Sequence, residues 1–200
     1  MKPRRRSPPH PSPLPAGERE TSAQRRSTVL RTGLAREGEP YARKPRIAIR
    51  PATADDMEFI LSLVPRFASF ALPKGRRKRD VLAAIHKDVE HALRERPAGS
   101  HFFVSEDFRG DRTGFLQLQV QRDFFSGARV CHVSDLAIAK DHDGQGIGRA
   151  LLAHAESWAS TRHCKLLTLS VFPGNARARA LYERAGFRTE LLRMAKPLKG

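Results

Sequence analysis

Gly144, Gly146 and Gly148 stand at alternate positions in the run Asp143-Gly-Gln-Gly-Ile-Gly-Arg-Ala-Leu-Leu152. Glycine lets backbone amides approach a bulky anion with no side chain between them. Where such a loop opens a helix, the free N–H groups and the helix dipole together favour a phosphate. A second group lies downstream. Asn175, a favoured helix N-cap, precedes Tyr182 by seven residues, about two turns, so both share one helix face. The chemistry these residues could do is to hold a phosphorylated compound and to deliver a proton beside it.

Spacing separates the known phosphate loops. A dinucleotide loop needs Gly-x-Gly-x-x-Gly, but Arg149 stands where its third glycine belongs. An ATP or GTP loop needs Lys-Ser or Lys-Thr after its last glycine, and here Arg149 and Ala150 follow Gly148. The remaining match is to a loop of the type Gln/Arg-x-x-Gly-x-Gly/Ala, and through it the chain resembles the GNAT superfamily of acetyl-CoA-dependent N-acetyltransferases. Gly146 and Gly148 match its two glycines. Asp143 departs from it, where the resemblance expects Gln or Arg. A carboxylate repels a diphosphate, so Asp143→Arg is expected to tighten cofactor binding. The downstream run Asn175-x-x-Ala178-x-x-Leu181-Tyr182-x-x-x-Gly186-Phe187 is similar to the superfamily's C-terminal motif. The resemblance covers roughly residues 46–195.

These groups need elements to position them. Leu136-Ala137-Ile138 ends a strand that feeds the glycine loop, and a helix is expected from Gln145 or Gly146 to about Ser160. Leu166 to Val171 is rich in strand formers, and a helix follows from Asn175 to Ala185, closed by Gly186 as a left-handed cap. Upstream, Arg46 to Arg50 reads as a strand. Met57, Ile60, Leu61, Val64 and Phe67 recur at helical spacing after Thr53 as cap. A second helix is expected over Asp80 to Arg94, then strands at His101–Ser105, Gly114–Gln121 and on to Ala139. A last strand is expected near Thr189–Lys196. The expected class is α/β, with the order β-α-α-β-β-β-α-β-α-β. The strand–helix–strand unit over 131–171 is a crossover, so its strands should be parallel. The mixed sheet with two splayed parallel strands is what the resemblance implies.

The resemblance also implies the roles. The pantetheine arm and acetyl carbonyl of acetyl-CoA would lie on the backbone of Leu136, Ala137 and Ile138. The diphosphate would fall to the amides of Gly144, Gln145, Gly146, Ile147, Gly148 and Arg149, and Asn175 would touch the pantetheine. Tyr182 would be the general acid for the leaving thiolate. Ser170 stands where some relatives keep a glutamate base. Asp135 is the nearest carboxylate in sequence, and it reads equally as a base acting through water or as a structural residue. The implied partners are acetyl-CoA and an amine acceptor, with a homodimer among the allowed assemblies.

Composition sets limits around this domain. The first 46 residues hold 12 Lys/Arg against 4 Asp/Glu, net +8, half of the chain's +16. Low hydrophobicity with proline and charge is the signature of disorder, so residues 1–44 are expected to be a disordered basic leader before a catalytic domain over 45–200. A start codon assigned too early would also account for it. No stretch approaches the roughly 20 apolar residues of a membrane span. His132, His142, His154 and His163 lack metal-ligand spacing, so no metal is expected. Cys131 and Cys164 are too few for a disulfide framework, which suits the cytoplasm. Two alternatives stay open: an acyl-CoA-binding sensor without turnover, and a nucleic-acid-binding protein suggested by pI 11.1 and the basic leader.

Overall fold

The computed structural model describes residues 47–196 and Leu198; the expected leader, residues 1–44, lies outside the described residues. Five strands form one sheet in the order β1-β2-β3-β4-β5. They are β1 (Ile47–Pro51), β2 (Ser100–Asp107), β3 (Arg112–Arg122), β4 (Arg129–Ile138) and β5 (Leu167–Leu169). The first four are antiparallel neighbours, and β5 runs parallel to β4. The central strand, β3, is buried on both faces, and its residues divide the core in two. Leu116 and Leu118 face α3 (Ile147–Thr161), where they meet Leu151, Leu152, Ala155 and Trp158. Phe115 faces the other way, among Ile60 of α1 (Met57–Ser62) and Val89 and Leu93 of α2 (Lys78–Glu95). Helix α4 (Ala176–Arg184) adds Leu181 and Tyr182 to the α3 side. Apolar burial on the two faces of one sheet is what holds the helices in place.

Three expectations are corrected. The apolar spacing from Met57 to Phe67 is not one helix, because α1 stops at Ser62 and residues 64–68 form a 3-10 turn. Pro65 explains the stop: it has no N–H to donate, and its ring crowds the preceding turn. The strand expected to reach Val171 is only Leu167–Leu169, because its pairing with β4 ends at Val133↔Leu169. The last strand expected near Thr189–Lys196 does not form, and Leu191, Leu192 and Met194 lie exposed there.

The early end of the β4–β5 pairing has a local cause. Gln117 pairs with Asp135 and Leu118 with Val133, so Ser134 is an extra residue in β4, a β-bulge. Bulges bend a strand and break its ladder. Beyond Ser134, β4 leaves β5 and an open wedge begins between two parallel strands.

Candidate active site

The wedge is lined by backbone. Cys131 N–H donates to Leu166 O at 2.9 Å, towards β5, whereas Ala139 N–H donates to Thr113 O at 2.8 Å, towards β3. Alternation along a strand then turns the N–H and C=O of Leu136 and Ile138 into the wedge and those of Ala137 towards β3. Of the three positions expected to meet the pantetheine, Leu136 and Ile138 present free backbone groups and Ala137 does not.

At the open end of β4 the chain makes a short turn over Lys140–His142 and enters the glycine loop. Gly144 and Gly146 have φ of 79° and 80°, values that side chains rarely tolerate, and Gly146 caps α3. Among the described residues, no amide from Gly144 to Arg149 donates to a backbone carbonyl. Ala150 is the first that does, to Gly146 O at 3.1 Å. Buried or exposed, a run of unpartnered donors at a helix start is an anion site by electrostatics alone. Gly148 has a further reason to be glycine. A Cβ there would lie 3.0 Å from the Leu181 side chain, so this residue lets α3 and α4 meet.

Asp143 does not sit as a bare repulsive charge. Arg66 Nη2 donates to its two oxygens at 2.8 and 2.7 Å, and Arg177 Nη1 donates to Oδ2 at 2.7 Å. The Arg177 and Arg66 guanidiniums hold its carboxyl below the usual carboxylate range. The cluster ties the glycine loop to the turn after α1 and to the first turn of α4, and its net charge is positive. The expectation from sequence that Asp143 opposes the loop's anion affinity is therefore reversed. Neither arginine is marked by any local motif, and each lies far from Asp143 in sequence.

Asn175 caps α4, its side-chain oxygen accepting from Ala178 N–H at 3.2 Å, which leaves its amide NH₂ for a ligand. Tyr182 follows on the same helix, its ring edge-on to Phe187 with centroids 5.9 Å apart. Gly186, at φ 94°, turns the chain so that Phe187 N–H reaches Tyr182 O. Burial, with the negative Asp135 nearby, raises the Tyr182 hydroxyl above its ordinary pKa, so it holds its proton at neutral pH. Ser170 lies past the end of β5, exposed.

Asp135 is placed by the bulge. Regular alternation would put it beside Val133 in the core under α3. The extra residue instead sets it opposite Gln117, on the face shared by Phe115, Ala137 and α2. Burial, then the charge of Asp88, pushes its carboxyl up to about 6. On the same face His132 Nδ1 lies 2.9 Å from Thr168 Oγ1, and burial lowers the pKa of that imidazole. Among the described residues, no group of three or more His, Cys, Asp or Glu is gathered to hold a metal ion.

A cradle of free amides, a wedge with an exposed strand edge and a protonated tyrosine can be set beside known proteins. The chain is 33% identical over 100 residues to streptothricin acetyltransferase of Streptomyces lavendulae, which covers 50% of this chain and 51% of that protein. It is 32% identical over 88 residues to an uncharacterized N-acetyltransferase, YhfO, of Bacillus subtilis (strain 168), covering 44% and 58%. The chain thus spans about half the length of these curated relatives. Among solved structures, a putative acetyl transferase from Pyrococcus furiosus superposes with a TM-score of 0.62 at 25% identity, over 76% of this chain and 99% of that one. Ribosomal-protein-alanine N-acetyltransferase from Brucella melitensis biovar Abortus 2308 shares the fold, with a TM-score of 0.58 at 19% identity over 76% and 99%. The acetyltransferase (GNAT) family profile matches residues 69–187, more than half of the chain, and the protein belongs to that family.

Proposed function

We propose that the protein transfers an acetyl group from acetyl-CoA to the primary amine of a small molecule or a peptide. The observation that carries this is the run of unpartnered amides from Gly144 to Arg149 at the end of a strand whose edge has just opened. The donor set fits a diphosphate followed by an extended, amide-bearing arm, as in CoA. The residue roles follow from position. Amides of the glycine loop hold the diphosphate, and the backbone of Leu136 and Ile138 pairs with the arm. Acetyl-CoA supplies the acyl group already activated as a thioester. An N–H in the Ile138 region stabilises the oxyanion that develops on the acetyl carbonyl. The amine must be neutral to attack, and Asp135, directly or through a water, takes its proton. The amine nitrogen bonds to the carbonyl carbon, the C–S bond breaks, and the Tyr182 hydroxyl gives its proton to the departing sulfur.

The names of the relatives, streptothricin acetyltransferase and N-alpha-acetyltransferase 40 of Saccharomyces cerevisiae, span antibiotic and protein acceptors. They support acetyl transfer to an amine more than either acceptor class. The free Cys131 and Cys164 suit a cytoplasmic setting. Calorimetry with acetyl-CoA, followed by CoA release over a panel of polyamines, amino acids, aminoglycosides and peptides, tests the proposal. Binding with release of CoA is expected. Binding without release on any amine would favour the sensor, and a folded protein that does not bind acetyl-CoA would end the assignment.

A further inference from the structure

Gln117 is 4% exposed, yet its Oε1 has no hydrogen-bond partner. Its Nε2 reaches Ser100 Oγ at 3.3 Å on β2. With that arm on the β2 side of β3, Oε1 is turned to the β4 side, where Asp135 is its cross-strand neighbour. A buried carboxamide oxygen left without a donor costs stability, and such orphans call for a specific reason. Asp135 adds a carboxylate to which, among the described residues, no side chain donates and no cation pairs. Asp88 of α2, close enough for its charge to act on Asp135, is exposed and likewise without an ion-pair partner among the described residues. The chain has 37 Lys and Arg against 21 Asp and Glu. Cations are abundant, and Asp56, Asp80, Glu90, Glu106, Asp143 and Glu183 all pair with one. An acceptor oxygen and two carboxylates left open on the acceptor side of the wedge are complementary to donors that arrive from outside.

Resting on the acetyl-transfer reading above, we propose that the acceptor is a small diamine or similar dication. Its reacting ammonium is received by Gln117 Oε1 and Asp135, and its second ammonium is answered by Asp88. Gln117 is a positioning residue: it orients the amine, and Asp135 removes the proton.

The test uses the full chain, acetyl-CoA and two matched series, α,ω-diaminoalkanes and n-alkylamines of equal length. The ratio of kcat/KM between the series does not depend on how much of a preparation is folded. Wild type should prefer diamines by about fivefold, the upper end for a partly exposed ion pair. Asp88→Asn should bring the ratio close to one, and Asp88→Lys should invert it. Gln117→Leu should raise KM for both amine series while leaving KM for acetyl-CoA in place, and Gln117→Glu, which returns an oxygen acceptor, should recover much of it. Equal use of both series by wild type, or a ratio untouched in Asp88→Asn, overturns the proposal. So does turnover of no amine by protein that binds acetyl-CoA. Failure to bind acetyl-CoA at all would instead strike the acetyl-transfer reading.

Discussion

Tyr182 and Asp135 hold opposite protonation states for one reason, partial burial near one another, and each assignment has its own experiment. Tyr182→Phe keeps the ring against Phe187 and removes only the hydroxyl. General-acid loss should lower kcat by about 10²–10⁴, with acetyl-CoA affinity and melting temperature nearly unchanged. Turnover within about threefold of wild type would place the residue in the core and outside the chemistry. For Asp135, a carboxyl pushed up to about 6 is protonated below that pH and free above it. Activity should therefore rise through about pH 6 and level off, and Asp135→Asn should lose both the limb and most of the rate. Gly146, Asn175 and Tyr182 were readable from the chain because their roles depend on spacing within one loop or helix. Gln117 and the arginines on Asp143 were not, since what matters about them is a neighbour supplied by tertiary structure.

At the level of elements, two contacts hold the cofactor loop to its surroundings. Gly148 admits Leu181, and Asp143 binds Arg66 and Arg177. Gly148→Ala should push α4 away from α3, with a fall in both melting temperature and acetyl-CoA affinity, because Asn175 and Tyr182 ride on α4. Asp143→Arg separates the two readings of that position. A simple charge argument from sequence gives tighter binding. The observed cluster gives the reverse: three cations face one another, the loop loses its anchors to α4 and to the 3-10 turn after α1, and acetyl-CoA binds more weakly. Two partly buried pairs at about 1 kcal/mol each would lower the melting temperature by several degrees. Calorimetry and a thermal scan on this one variant measure both. The order of helices and strands was legible because periodicity and caps are local signals. The shortened α1 and β5 were misjudged because a proline inside an apolar pattern and a bulge with no sequence mark decided where they end.

For the whole molecule, the strongest electrostatic tie lies away from the wedge. Asp56, fully buried, accepts from Arg50 Nη1 at 2.6 Å and Nη2 at 3.0 Å, from Arg112 Nε at 2.7 Å and from Thr53 N–H at 2.8 Å. It pins the turn before α1 to β1 and β3. The Arg50 guanidinium above all holds this carboxyl far below the usual carboxylate range. A carboxyl depressed in the folded state adds stability above its unfolded pKa of about 4, and that stability drains away as pH falls below it. Asp56→Asn should cost about 3–5 kcal/mol at pH 7 and flatten the acid limb of a denaturation profile. Removing residues 1–44 carries away much of the positive charge and should leave acetyl-CoA affinity and turnover intact, whereas any nucleic-acid retention should vanish with it. The bulge at Ser134 has a consequence of another kind. Which side chains face the cofactor and which face the acceptor depends on whether the count of residues along β4 is odd or even. Point changes at Ser134 leave that parity alone. Deleting the residue, or inserting one beside it, would bury Asp135 under α3 and turn Leu136 towards the acceptor, so this short stretch should accept substitutions freely and length changes not at all.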